Sequence, residues 1–304
     1  MILLWGIDAD GPLERVREEL GLLGADTVFI DQQQILETEI DLTVDRGARG
    51  TLRGPDFEVA LEDVQSVYVR PYETLRMAAV SALDPSAPEV ARAARCEASL
   101  VSWTEVTGAL VVNRLSAMGS NSSKPYQLRL ISAAGFDVPD TLLTNDREAL
   151  AEFRSKHQLV IYKSTSGIRS IVSRLTSAHE GRLEDAMACP TQFQEFVDGT
   201  DVRIHVVGDQ VFACEIESGA DDYRYAGSAL CARSIEVPAE VAERCLGLSG
   251  ALGLPVAGID LRCRTDGRWC CFEVNPSPAF TYYEHVTGQP IARAVATLLM
   301  ARSA

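Results

Sequence analysis

The chain has 304 residues, 46% of them apolar and 23% charged, with a formal net charge of −15, a composition that suits a globular protein of two or three compact units and excludes a disordered or repetitive one. So acidic a chain also excludes a broad nucleic-acid or anionic-membrane surface, because both need clustered Lys and Arg, and an anionic ligand must be met by a local cationic site. No apolar run approaches the roughly 18 residues of a membrane span and the start "MILLWGIDADG" lacks the layout of a signal peptide, so a cytoplasmic protein is expected.

The opening reads as a strand (residues 2–5), a helix ("GPLERVREELGLLG") and a strand ("DTVFID"), the start of a wound β/α unit. A further strand "VQSVYVRP", the long helix "PEVARAARCEASLVSWTEVTG" and the strand "ALVVN" complete an α/β domain over residues 1–115 with a parallel sheet. The polar stretch "SAMGSNSSKP" then leads into a helix capped by Ser122 or Ser123, with Pro125 in its first turn and Gly135 at its end. A strand "DVPDTLLT", a helix opened by the capping pattern Asn145 to Glu148, and the strands "LVIYKS" and "RSIVSRL" form a small α+β unit up to about residue 191.

From residue 192 a second α+β unit begins. It holds the strand "QFQEFV", the hairpin "DVRIHVV"/"QVFACEI" turned at Gly208-Asp209, a helix from Pro238, the hairpin "VAGIDLRCR"/"RWCCFEV" and a final helix from about Pro290. Two such units in succession imply a cleft between them.

The second hairpin carries the chemistry. With Asp266-Gly267 as a two-residue turn, Asp260 lies opposite Glu273. Alternation then puts Ala257, Ile259, Leu261, Cys263, Cys270, Phe272 and Val274 on an apolar face, and Asp260, Arg262, Arg264, Glu273 and Asn275 on the other. Opposed carboxylates destabilise a sheet unless a cation joins them. With the Asn275 carbonyl the donor set is all oxygen, which suits Mg2+ or Mn2+ rather than Zn2+. The bland alternative is a surface network in which Arg262 pairs with one of the two carboxylates.

Cations are informative because the chain has only three lysines, Lys124, Lys156 and Lys163, among 28 basic residues. Lys163 ends an apolar strand before "STSG", whose backbone N–H groups suit a phosphate, although neither phosphate-loop glycine pattern is present. Lys124 stands in the first turn of a helix, where a cation opposes the helix dipole unless a bound phosphate offsets it. Arg203 is either an anion clamp or the partner of Asp201. The four histidines are unclustered and receive no role, and the eight cysteines, lacking metal spacing, read as reduced and mostly buried, with a catalytic thiol left open but marked by nothing local.

"LVIYKSTSG", "QEFVDGTDVRIHVVG" and "AGIDLR…FEVNPSPAF", in that order and spacing, resemble the ATP-grasp ligases, and among them the RimK-type ribosomal-protein glutamate ligases. "VYVRP", "LVVNR" and "SKPYQLRLISAAGFDVPDTLLTND" are similar to the ATP-grasp maturases of ribosomal peptides. The resemblance implies a pre-ATP-grasp α/β domain (1–115) followed by a two-subdomain ATP-grasp fold (116–304, divided at about 191/192) with ATP in the cleft. It implies Lys124 and Lys163 at the ATP phosphates, Gln194, Glu195, Phe196 and Val197 as the hinge at adenine, Asp201 at the ribose, Arg203 at the transferred phosphate, and Asp260, Glu273 and Asn275 as Mg2+ ligands. Two departures stand out. "STSGIRS" has one glycine and an Arg, so either a shorter lid or an Arg169 clamp is expected to replace backbone contacts to phosphate, and Ala279 stands where the ligases usually have Gly.

The chemistry implied is carboxylate activation by ATP to an acyl phosphate, then attack by an amine. The substrate is an amino acid or peptide, held near Tyr223, Arg224, Arg262 and Tyr283 in "ADDYRYA" and "TYYEH". One alternative is a maturase that modifies a ribosomally made precursor peptide, through an ester or amide cross-link or residue addition. Another is a nucleotide-binding module without catalysis. Homo-oligomerisation is left open.

Overall fold

The computed structural model describes residues 1–163, 173–176, 188–217 and 231–301, which form four β-sheets. The first is wholly parallel, in the order β2-β1-β6-β7, from β1 (Ile2–Gly6), β2 (Thr27–Asp31), β6 (Ser66–Val69) and β7 (Leu110–Val112). Every residue of β1 is buried, as expected of a parallel strand covered on both faces. Leu3 and Trp5 face Ala93, Leu100 and Trp103 of α2 (Pro88–Val106), while Ile2 and Leu4 face Leu13, Val16 and Leu20 of α1 (Gly11–Leu22).

The structure adds an antiparallel meander that the sequence reading passed over: β3 (Glu39–Val44), β4 (Ala48–Gly54) and β5 (Phe57–Ala60). Only β3 is mostly exposed, Leu52 and Val59 are buried in the core shared with Leu3 and Trp5, and the strict alternation of "EIDLTV" in β3 is the signal that was overlooked.

The second sheet, in the order β10-β9-β11-β8, contains β8 (Thr141–Thr144), β9 (Val160–Lys163), β10 (Ser173–Arg174) and β11 (Thr191–Glu195). One face is closed by α4 (Arg147–Lys156), whose Leu150 and Phe153 pack with Phe193, Leu142 and Tyr162. The cap of α4 is Asp146, not Asn145: its carboxylate accepts from the Glu148 N–H at 2.8 Å.

The third sheet is antiparallel, in the order β14-β13-β12-β15-β16, from β12 (Thr200–Val207), β13 (Gln210–Glu217), β14 (Cys231–Ile235), β15 (Val256–Cys263) and β16 (Trp269–Asn275). The β12/β13 turn is the expected Gly208-Asp209, with Gly208 at φ +58°. One face packs Ile204, Ile259 and Val274 against α3 (Lys124–Ala133) and α5 (Ala239–Ala251). The other face changes character along its strands. Val207, Cys214 and Val256 lie under α6 (Thr281–Thr287) and α7 (Ile291–Met300), in one core with α1 and β1, while Asp201, Arg203, Asp260 and Glu273 occupy the polar end.

The β15/β16 hairpin corrects the expected turn. Arg264 pairs with Arg268 around a three-residue loop with Gly267 at φ +83°, which shifts the register by one. An irregularity next to Asp260/Leu261 then leaves Phe272 as an extra residue and shifts the register back. Asp260 therefore does oppose Glu273, but Cys271 and not Phe272 joins Ile259 and Val274 in the core.

Candidate active site

A row of four charges crosses the polar end of the third sheet. Arg203 on β12 opposes Asp260 on β15, which opposes Glu273 on β16. Arg203 Nη1 donates to Asp260 Oδ1 at 2.6 Å, and Lys124 Nζ, from the first turn of α3, donates to Glu273 Oε1 at 2.6 Å and to Asn121 Oδ1 at 2.8 Å. The order is plus, minus, minus, plus, and each carboxylate is neutralised from its outer side. Arg203 is 6% exposed whereas Asp260 and Glu273 are 20% and 22% exposed, so the carboxylates are the accessible members. Asn275 lies opposite Gly258, and its Oδ1 accepts from the Ser277 N–H at 2.9 Å. These three oxygen-bearing side chains suit a hard divalent cation. Gln127 pins the strand behind them, donating to the Val274 carbonyl at 2.8 Å and accepting from its N–H at 3.0 Å.

Asp201 is not the partner of Arg203. Its carboxylate takes two hydrogen bonds from Arg262, at 2.8 and 2.9 Å, while Arg262 Nη1 donates to the Val197 carbonyl at 2.6 Å. The surface network once open to Arg262 is thereby excluded, and this guanidinium, expected at the substrate, lies 5.7 Å from the Phe196 ring centroid and 5.3 Å from that of Phe272. Glu195 pairs its backbone N–H with the Asp140 carbonyl at 3.0 Å. Contrary to the reading of unclustered histidines, His157 lies beside Asp140 and Glu195, with ligand atoms all within 4.8 Å of one another.

Lys163 ends β9 opposite Gln192 of β11, and the buried Gln194 donates to Thr141 Oγ1 at 2.9 Å. Tyr283 belongs to the helix α6. It is buried, with its ring 5.1 Å from His205 and 5.8 Å from the Arg203 guanidinium, so it supports Arg203 from beneath. Arg169, Tyr223 and Arg224 lie outside the described residues.

Two groups went unread in the sequence. Arg70, at the end of β6, forms a buried ion pair with Asp10 at 2.6 Å and donates to Ser277 Oγ at 2.9 Å, so the first sheet reaches the loop after Asn275. The signal was an Arg ending the buried run "SVYV" just before Pro71. His205 is 1% exposed and receives a 3.4 Å contact from Arg203 Nε. Burial first, and the neighbouring Arg203 second, push its proton affinity well below the ordinary histidine value and keep it neutral. Burial also pushes the Cys214 thiol up to about 11 and Cys270 up to about 12, so neither is a thiolate nucleophile near neutral pH.

The RimK-like ATP-grasp domain family matches residues 121–299. A probable alpha-L-glutamate ligase of Xylella fastidiosa (strain M12) is 32% identical over 203 residues, which are 62% of this chain and 66% of that protein. One of Sodalis glossinidius (strain morsitans) is 31% identical over 216 residues, 66% of this chain and 71% of the relative, so the chain spans about two thirds of the length of these relatives. Among solved structures, the Chryseobacterium gregarium RiPP-associated ATP-grasp ligase in complex with ADP and a leader and core peptide superposes with a TM-score of 0.84 at 24% identity, covering 99% of this chain and 97% of the other. The ATP-grasp ligase PsnB, complexed with a precursor variant, Mg and ADP, superposes with a TM-score of 0.78 at 28% identity, covering 98% and 97%. The fold is that of these ligases, the family match takes in more than half of the sequence, and the chain belongs to the RimK-like ATP-grasp family of ATP- and Mg2+-dependent ligases.

Proposed function

We propose that this protein activates a carboxylate of a peptide with ATP and joins it to a nucleophile. The observation that carries this is the facing pair Asp260 and Glu273, flanked by Arg203 and Lys124. The division into residues 1–115 and 116–304, with subdomains meeting at about 191/192, is part of the same reading.

Asp260, Glu273 and Asn275 would hold Mg2+, which supplies charge neutralisation at the β- and γ-phosphates. The hinge residues Gln194 to Val197 take the base, with Asp201 toward the ribose. In the first step a substrate carboxylate oxygen attacks the γ-phosphorus, the bond to the bridging oxygen breaks, and ADP and an acyl phosphate result. In the second an amine or hydroxyl attacks the acyl carbon, phosphate leaves, and the nucleophile loses its proton. Arg203, Lys163 and Lys124 offset negative charge in the first step, and His205, kept neutral, adds no second positive charge beside Arg203. Arg169 is proposed as a further phosphate contact, and Tyr223 and Arg224 as substrate contacts. No protein nucleophile is needed, since positioning and exclusion of water do the work.

A peptide substrate is favoured because two ligases that superpose over 98–99% of the chain, the Chryseobacterium gregarium enzyme and PsnB, were solved with precursor-type peptides. Glutamate addition is the second reading, supported by those relatives. The test is ADP release by the purified protein with ATP and Mg2+ across peptides and amino acids, followed by mass spectrometry. Loss of one water per bond identifies cross-linking within a peptide, and a gain of one residue identifies ligation. A protein that released no ADP in response to any carboxylate would instead be a binding module.

A further inference from the structure

Gln192 is 1% exposed, yet neither its amide nitrogen nor its amide oxygen has a hydrogen-bond partner. A buried amide costs free energy unless water or a ligand completes its hydrogen bonds. Its place in the sheet says where the ligand lies. Gln192 pairs directly with Lys163 across β11 and β9, so the two side chains share a face. The opposite face, carrying Phe193, Tyr162 and Leu142, is the one closed by α4. Gln192 and Gln194 therefore line the same face as Lys163, running toward the hinge at Glu195.

Resting on the nucleotide reading above, we propose that Gln192 reads the edge of the adenine base, its Nε2 donating to N7 and its Oε1 accepting from the N6 amino group. The choice follows from what the amide lacks. It needs one acceptor and one donor side by side, which the adenine edge offers and which glutamine matches with two hydrogen bonds. A phosphate offers acceptors only and would leave Oε1 unpaired. Guanine presents an acceptor at both positions and would do the same. Gln194, the next residue on this face, already gives its Nε2 to Thr141, which leaves Gln192 as the amide with both atoms available.

The experiment is calorimetric titration of the full chain, with Mg2+, by ADP, GDP and 7-deaza-ADP, in which a C–H replaces N7. Wild type should bind ADP roughly tenfold or more tightly than 7-deaza-ADP or GDP. Gln192→Leu should bind ADP and 7-deaza-ADP equally, both near the weaker wild-type value. Without nucleotide, Gln192→Leu should melt at or above the wild-type temperature, because an unpaired amide has been removed. Wild-type binding of ADP without preference over 7-deaza-ADP would sink the role of Gln192 while leaving the nucleotide site intact. Equal weakening of both adenine nucleotides in Gln192→Leu would assign the side chain to packing and also overturn the proposal. Absence of any ADP binding by wild type would overturn the nucleotide reading itself.

Discussion

Gly258 decides where Arg203 can lie. A Cβ built there would stand 2.1 Å from Arg203 Nη2 and 2.9 Å from the Pro278 Cβ, so the guanidinium crosses the strand through space that any other residue would fill. Gly258→Ala should push Arg203 off Asp260 and lower kcat by about tenfold or more, while the melting temperature moves by no more than roughly 5 °C. Unchanged kcat would mean that Arg203 acts from another position. His205, next along β12, makes a pH prediction. It is buried neutral beside Arg203 and the Tyr283 ring, so the unfolded chain holds its proton more tightly than the native one. The stability it permits is present in full above pH 6.5 and falls as the pH drops below that value, by at most about 1.4 kcal/mol per unit for one proton. Urea unfolding between pH 7.5 and 5 should show a steeper loss for wild type than for His205→Gln, and equal slopes would show an ordinary histidine. At this scale the metal-ligand candidates were legible because alternation alone selects them. The partner of Arg203 was not, because Asp201 and Asp260 both neighbour it and only the pairing of β12 with β15 decides between them.

The β15/β16 hairpin is the element on which the candidate site depends. Its three-residue loop and the extra residue Phe272 offset each other, so two departures from the simplest hairpin leave Asp260 and Glu273 opposed. The expected two-residue turn was wrong by one residue and the irregularity restores the register, so the facing pair was read correctly through two offsetting departures while the place of Phe272 was not. Glu273→Gln keeps the shape and the hydrogen-bonding oxygen but removes the charge that Lys124 and a divalent cation share. ATP turnover should fall by about 100-fold or more with the circular dichroism spectrum unchanged, and near-normal turnover would remove Glu273 from the metal-ligand set. The meander β3–β5 was missed although β3 alternates as "EIDLTV", because β4, with Gly50 and Gly54 and two arginines around the buried Leu52, carries no such run.

In the whole molecule the chain ends where it begins. Ile291, Ala292, Val295 and Leu299 of α7 are buried in one core with Ile2, Leu4, Leu13, Val16 and Leu20, and Ser66 Oγ donates to the Leu299 carbonyl at 2.6 Å. Each large apolar side chain buried there contributes roughly 1.5–3 kcal/mol, so removing α7 withdraws a sum comparable to the ~5–15 kcal/mol of a typical domain. A chain ending at residue 290 should lose hydrogen-exchange protection in β1 and β6, and wild-type protection there would disprove the shared core. No order of motifs along the sequence announces that a C-terminal helix completes an N-terminal sheet. The apolar face of α7 is taken up by this packing, and among the described residues no helix is long and apolar enough to cross a membrane. The bond from Arg70 to Ser277 runs across the same divide. Recombination between relatives is constrained accordingly: a hybrid that takes residues 1–115 from one parent and the remainder from another inherits Arg70 without the loop it grips, and β1 without the helix that covers it. Hybrids joined near residue 115 should function only when the segment from 276 onward travels with the N-terminal sheet.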